Sequence, residues 1–92
     1  MPTQTTHPRI ASVKPLTAKR LLVRFRNGVT ELYDCAPLLA HEVFAALKDD
    51  ALFRCAHADP HGYAVLWNDD IDLAESELWI SGQTVESPEK EK

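Results

Sequence analysis

His57-Ala58-Asp59-Pro60-His61 is the one stretch in which histidines and a carboxylate alternate. In an extended chain, residues two apart share a face, so His57, Asp59 and His61 could offer three ligands to a zinc ion. Pro60 and Gly62 instead favour a turn that disperses them, and no fourth ligand is strongly placed. A second dense group, Asp69, Asp70, Asp72, Glu75 and Glu77, has the oxygen chemistry of a calcium loop. Counted from Asp69, that loop needs glycine sixth and glutamate twelfth, where this chain carries Ala74 and Ile80. Asn68 to Glu75 therefore reads as turn formation and helix capping, with an acidic surface for a basic partner as the alternative.

Covalent catalysis finds little to work with. Ser12, Ser76, Ser81 and Ser87 lack the strained GxSxG elbow. Cys35 and Cys55 are too far apart for a metal knuckle or redox pair, and read as buried, reduced thiols. With three glycines and no GxGxxG or GxxxxGK[ST], no phosphate-cradling loop is expected. These readings point to a non-enzyme with no cofactor and no metal.

The basic residues carry a clearer signal. Arg20, Arg24 and Arg26 alternate along one segment, and a basic ribbon of this kind can sit on phosphates. Residues 1–26 hold six bases and no acid, whereas residues 27–92 hold four bases and fourteen acids, for a net charge of −4. Such asymmetry steers partners, or the two zones neutralise one another across strands. The candidate interaction surface is Arg20, Arg24 and Arg26 together with Asp69, Asp70 and Glu75.

The elements that position these residues follow from periodicity and turn chemistry. Ninety-two residues predict one domain with a small core. Residues 1–8 read as a flexible lead, 9–82 as the domain, and 83–92 as a disordered charged tail. Arg9 to Lys14 is a strand ended by Pro15. Residues 20–34 form a hairpin around Asn27-Gly28, read as a two-residue turn with positive φ at both positions. That register sets Arg24 opposite Glu31, Leu22 opposite Tyr33, Val23 opposite Leu32 and Phe25 opposite Thr30. Leu21, Val23 and Phe25 share the inner face.

Asp34 and Pro37 open a helix running to about Lys48, followed by a short turn holding Leu52 and Phe53. Arg54 to Ala58 is extended. Tyr63 to Trp67, apolar on both sides, is the central buried strand. After the Asn68-Asp69-Asp70 turn and a short strand from Ile71, Asp72 and Glu75 resemble a capping box. The helix they open ends at Gly82. Trp67 and Trp79 are read as core residues that pack together. The sum is an α+β fold: a small, mostly antiparallel sheet of about five short strands with two short helices packed on one face.

Four stretches, RIASVKPL, LLVRFRNGVTELYDCAPLL, VFAALKDDALF and GYAVLWNDDIDLAESEL, resemble domain-of-unknown-function family 2442, a group of short prokaryotic proteins. The resemblance runs from about Arg9 to Gly82. This chain departs from it in carrying Asp70 where members often have glycine. The resemblance implies a small α+β domain, alone or joined to a helix-turn-helix domain, and often encoded beside another short protein. A toxin–antitoxin-like or regulatory pair is what that arrangement suggests. It supplies no catalytic residue, and this chain looks like a stand-alone member.

The polar start of the chain is not a secretory signal, and no apolar run nears the ~18 residues of a membrane span. A cytoplasmic protein without membrane contact is expected. It acts as an interaction or regulatory domain with a small protein partner, and forms a homodimer through exposed sheet edges. A nucleic-acid-binding regulator using the basic hairpin face is the alternative.

Overall fold

The computed structural model describes residues 8–85. Among the described residues seven strands form two antiparallel sheets: β1 (Ile10–Leu16), β2 (Arg20–Phe25), β3 (Thr30–Asp34), β4 (His57–Ala58), β5 (Ala64–Leu66), β6 (Asp72–Ala74) and β7 (Gln83–Thr84). Their order is β1-β2-β3-β7 in the larger sheet and β4-β5-β6 in the smaller. Two short helices, α1 (Asp50–Phe53) and α2 (Glu75–Ser81), complete an α+β fold. The expected single sheet is thus divided. Tyr63 to Trp67 does supply a central strand, but its neighbours are β4 and β6 only. An apolar run reports that a strand is covered on both faces, not which sheet holds it.

The hairpin register differs by one residue from the expected one. Phe25 N–H donates to Val29 O at 2.8 Å and Gly28 N–H to Phe25 O at 3.0 Å, so the loop holds three residues. Gly28 has φ +94° while Asn27 stays out of the left-handed region. Asn27 Oδ1 accepts from Val29 N–H at 3.0 Å. This is a type I turn followed by a glycine bulge, the other hairpin solution that Asn-Gly allows. Arg24 therefore faces Thr30, Leu22 faces Leu32, Val23 faces Glu31 and Leu21 faces Tyr33. A one-residue slip turns every β3 side chain over. Glu31, Tyr33 and Cys35 go inside, while Thr30, Leu32 and Asp34 go outside.

β1 also differs. It continues through Pro15, which pairs with Leu21, because β1 is an edge strand and an outward N–H is dispensable there. The register shifts between Ile10 and Ser12, leaving Ala11 as an extra residue. That bulge allows Ile10 and Val13, three apart, both to face the core. Gln83 and Thr84, expected in the tail, pair as β7 with Leu32 and Glu31. The tail beyond Val85, and the lead before Pro8, lie outside the described residues.

Ala36–Ala40 and Glu42–Lys48 form 3-10 segments, where one helix to Lys48 was expected. His41 separates them in an extended conformation. Within the second segment Phe44 and Leu47 stand three apart, the spacing that lines up on a 3-10 turn. Asp34 Oδ1 accepts from Ala36 N–H at 3.0 Å, closing a local turn rather than capping a long helix. Asp72 does not cap α2, because it lies in β6, and Glu75 N–H instead donates to Tyr63 O at 2.9 Å.

The core lies on the inner face of the larger sheet. Ile10, Leu21, Val23, Phe25, Tyr33 and Cys35 meet Leu47, Phe53, Val65, Trp67, Leu73 and Leu78 in one cluster, so the helices and the second sheet share that face. Each tryptophan packs on a phenylalanine rather than on the other tryptophan. The Trp79 and Phe25 rings pack edge to face with centroids 5.1 Å apart, and the Trp67 and Phe53 centroids lie 6.2 Å apart. Buried Trp67 Nε1–H donates to Phe53 O at 3.1 Å, which satisfies its one polar group. Cys35 is buried, and burial pushes its thiol up to about 12. Cys55, expected buried, is exposed. Among the described residues no helix is long and apolar enough to cross a membrane.

Candidate functional site

The outer face of the larger sheet assembles the basic residues. Three cross-strand rows run over it: Ser12, Arg24 and Thr30; Lys14, Leu22, Leu32 and Gln83; and Leu16, Arg20 and Asp34. Leu22 and Leu32 are half-buried yet stand outside the core cluster. The face therefore has an apolar centre, with Lys14, Arg20 and Arg24 around it and, among the described residues, Asp34 as its one acid. Arg20 Nε–H donates to Thr17 O at 3.2 Å. Arg24 is exposed.

Arg26 does not join them. β2 ends at Phe25, and the Arg26 side chain turns to Pro60 O at 3.5 Å, beside the second sheet. Lys14 takes a place on this face that sequence reasoning missed. Its row depends on the Ala11 bulge, which no local pattern announces.

The acidic candidates lie elsewhere. Asp69 and Asp70 are exposed in the turn between β5 and β6, where Asn68 Oδ1 accepts from Asp70 N–H at 2.8 Å and Ile71 N–H at 2.9 Å. That side chain builds the turn with no glycine in it. Glu75 starts α2. Among the described residues no ion pair joins Asp69, Asp70 or Glu75 to Arg20, Arg24 or Arg26. Arg20 and Arg24 thus share the outer face, Arg26 reaches Pro60, Asp69 and Asp70 stand in the β5–β6 turn, and Glu75 begins α2.

The histidine stretch is strand β4 followed by a turn. Asp59 Oδ2 accepts from His61 N–H at 2.9 Å and from Tyr63 N–H at 3.3 Å. His57 Nδ1 lies 2.9 Å from Cys55 O. Among the described residues no three histidines, cysteines or carboxylates gather as a metal-ligand set.

Arg20 lines two grooves. One, of about 460 Å³, runs past Leu32, Asp34, Pro37, Leu38 and Gln83. The other, of about 590 Å³, lies between the β1–β2 turn and α1 and is lined by Pro15, Leu16, Thr17, Arg20, Asp50 and Arg54. Asp50 accepts from Lys19 Nζ at 3.0 Å and pairs with Arg54 Nε at 3.2 Å. The Lys19 hydrogen bond, and after it the Lys19 charge, hold the Asp50 carboxyl below the usual carboxylate range, with Arg54 contributing less. Lys19 reaches that position from a left-handed backbone (φ 59°), next to Ala18 at φ 61°.

Behind the outer face, Glu31 is the one buried charged residue among those described, at 4% exposure. Its Oε1 has no hydrogen-bond partner, and desolvation raises its carboxyl pKa. Tyr33, two residues on, donates from its hydroxyl to Glu77 Oε2 at 2.8 Å.

No curated protein and no solved structure matches the chain. The family model described as protein of unknown function, DUF2442, matches residues 10–82. That match takes in the smaller sheet, the larger sheet apart from β7, both helices, and both grooves apart from Gln83, and by it the chain belongs to the DUF2442 family.

Proposed function

We propose that the protein is a non-enzymatic interaction module that docks a partner protein on the open face of its four-stranded sheet. The observation that carries this reading is the Leu22–Leu32 pair, apolar and cross-strand, set among Lys14, Arg20 and Arg24. An apolar centre with a charged rim is the anatomy of a protein interface. The partner it fits has an apolar centre and an acidic rim. A second copy docked face to face would bring arginine toward arginine, so like charges disfavour that pairing. The edges also discourage self-association: β1 carries Lys14 and Pro15, and β7 is two residues long. The short neighbouring protein implied by the family resemblance, of the toxin–antitoxin-like kind, is the first partner to try.

The test is co-expression with that neighbour, followed by light-scattering mass and affinity at two salt concentrations. A stoichiometric complex is expected, weakened by salt. Leu22→Asp should lower its affinity by about tenfold or more, the cost of losing a central apolar contact. A complex indifferent to Leu22→Asp, or a homodimer built on this face, would overturn the reading.

One observation favours nucleic acid as a second reading. Arg24 faces Thr30 instead of Glu31, so among the described residues no carboxylate stands across from it. A salt-dependent shift of duplex or single-stranded probes, abolished by Arg20→Ala and Arg24→Ala, would establish it. Absence of any shift at low salt would end it.

A further inference from the structure

We propose that the groove between the β1–β2 turn and α1 is a carboxylate pocket, in which Arg20 and Arg54 clamp an acidic side chain of the docked protein. This rests on the protein-partner reading and names the contact that fixes the partner's position.

The argument begins with a count of charge. Among the described residues Asp50 is the one acid lining the groove, and two arginines line it as well. Asp50 is already matched by Lys19, whose side chain is only 18% exposed and whose ammonium also donates to Lys48 O at 3.2 Å. The ammonium also lies 5.3 Å from the Phe53 ring. Lys19 is therefore fixed on Asp50 from the protein side. Both guanidinium charges remain in surplus toward the groove.

The two arginines are differently committed. Arg54 meets Asp50 through Nε alone, and both side chains of that pair are largely exposed, at 73% and 60%. Such a pair exchanges readily for a better acceptor. Arg20 uses Nε on Thr17 O. Neither recorded contact uses the terminal nitrogens, with which guanidinium makes two-pronged bonds to a planar oxyanion. Pro15 and Leu16 give the groove an apolar wall that suits the methylene stem of a glutamate.

Asp50 also decides which anion fits. A singly charged carboxylate balances part of the surplus. A dianionic phosphate would bring twice the charge toward the Asp50 carboxylate. Arg20 belongs both to this groove and to the open sheet face, so a partner seated on Leu22 and Leu32 can reach the groove without leaving the face.

The test follows the side-chain N–H signals of Arg20 and Arg54 by NMR in the full chain. The probes are acetyl-Glu-Leu-Glu-amide, its Gln-Leu-Gln counterpart and inorganic phosphate. The glutamate peptide should shift both arginine signals saturably, the glutamine peptide should not, and phosphate should bind more weakly. Arg54→Ala should weaken the glutamate peptide by about tenfold, and Arg54→Lys should restore little of it, since an ammonium lacks the fork. Asp50→Asn should tighten the peptide by about threefold, because it removes the competing carboxylate.

No arginine shift at peptide concentrations of about tens of millimolar overturns the proposal, and so does tighter binding of phosphate. A partner complex lost on Leu22→Asp but indifferent to Arg54→Ala also overturns it, while leaving the docking face in place. Failure of the complex to form removes the docking reading, and the peptide titration then judges the groove alone.

Discussion

Glu31 is in an unfavourable position for a carboxylate. It lies on the inner face opposite Val23, with one oxygen sealed and unpartnered. An unsatisfied buried polar group costs on the order of 1–3 kcal/mol, and more when charged. Burial raises the native carboxyl pKa above the ordinary 4.5. Between those two values the folded chain holds a proton that the unfolded chain has released. Stability therefore falls as pH rises through that window, and the penalty persists above it. Glu31→Gln should match the wild type near about pH 4 and exceed it by roughly 1–3 kcal/mol at neutral pH, read from urea unfolding of both proteins. A difference independent of pH would contradict this account. Gly82 is the companion residue. A Cβ there would come within 2.5 Å of Glu31 Oε1 and 2.6 Å of Leu78 O, so its lack of a side chain makes room for the carboxyl.

At the scale of elements, two turns of the larger sheet make the same demand for positive φ and meet it with different residues. Gly28 has φ +94° and open space around it, so alanine there meets only backbone strain. Gly28→Ala should cost about 1 kcal/mol. Ala18 sits at φ 61° without being glycine, and Ala18→Gly should gain about 0.5 kcal/mol once glycine's greater unfolded freedom is subtracted. Thermal melts of the two variants should move in opposite directions. Sequence reading reached the inner face of β2, the centrality of β5 and the Asn68 turn, because each is written in a few adjacent residues. It missed the β3 register because Asn-Gly serves both two- and three-residue loops. It missed the break at His41 because apolar spacings of three and four overlap over so short a stretch. For the site, alternation placed Arg20 and Arg24 on one face. Lys14 and Arg54 enter only through a bulge and a tertiary approach, neither of which is local.

At the scale of the molecule, the two sheets meet where β1 begins. Ile10 N–H donates to Gly62 O at 2.9 Å, and Arg26 N–H to Arg9 O at 2.8 Å. The Arg9 guanidinium lies 4.0 Å over the Tyr63 ring. Gly62 is left-handed (φ +79°), and a Cβ would sit 2.7 Å from Ile10 O and 2.8 Å from Arg9 Cβ. Gly62→Ala should therefore destabilise by more than about 2 kcal/mol, a large share of the margin for a small domain. Hydrogen exchange should show the Ile10 amide losing protection first. β7 has a different consequence, in time rather than space. It covers the edge of β3 and belongs to the last described residues to leave the ribosome, so until then β3 keeps an open edge and Glu31 stays hydrated and ionised at neutral pH. Closing α2 and β7 over that carboxyl is the step at which a proton must be taken up or a charge dehydrated. Acid should then quicken the final docking of the chain while leaving the speed of the first hairpin unchanged.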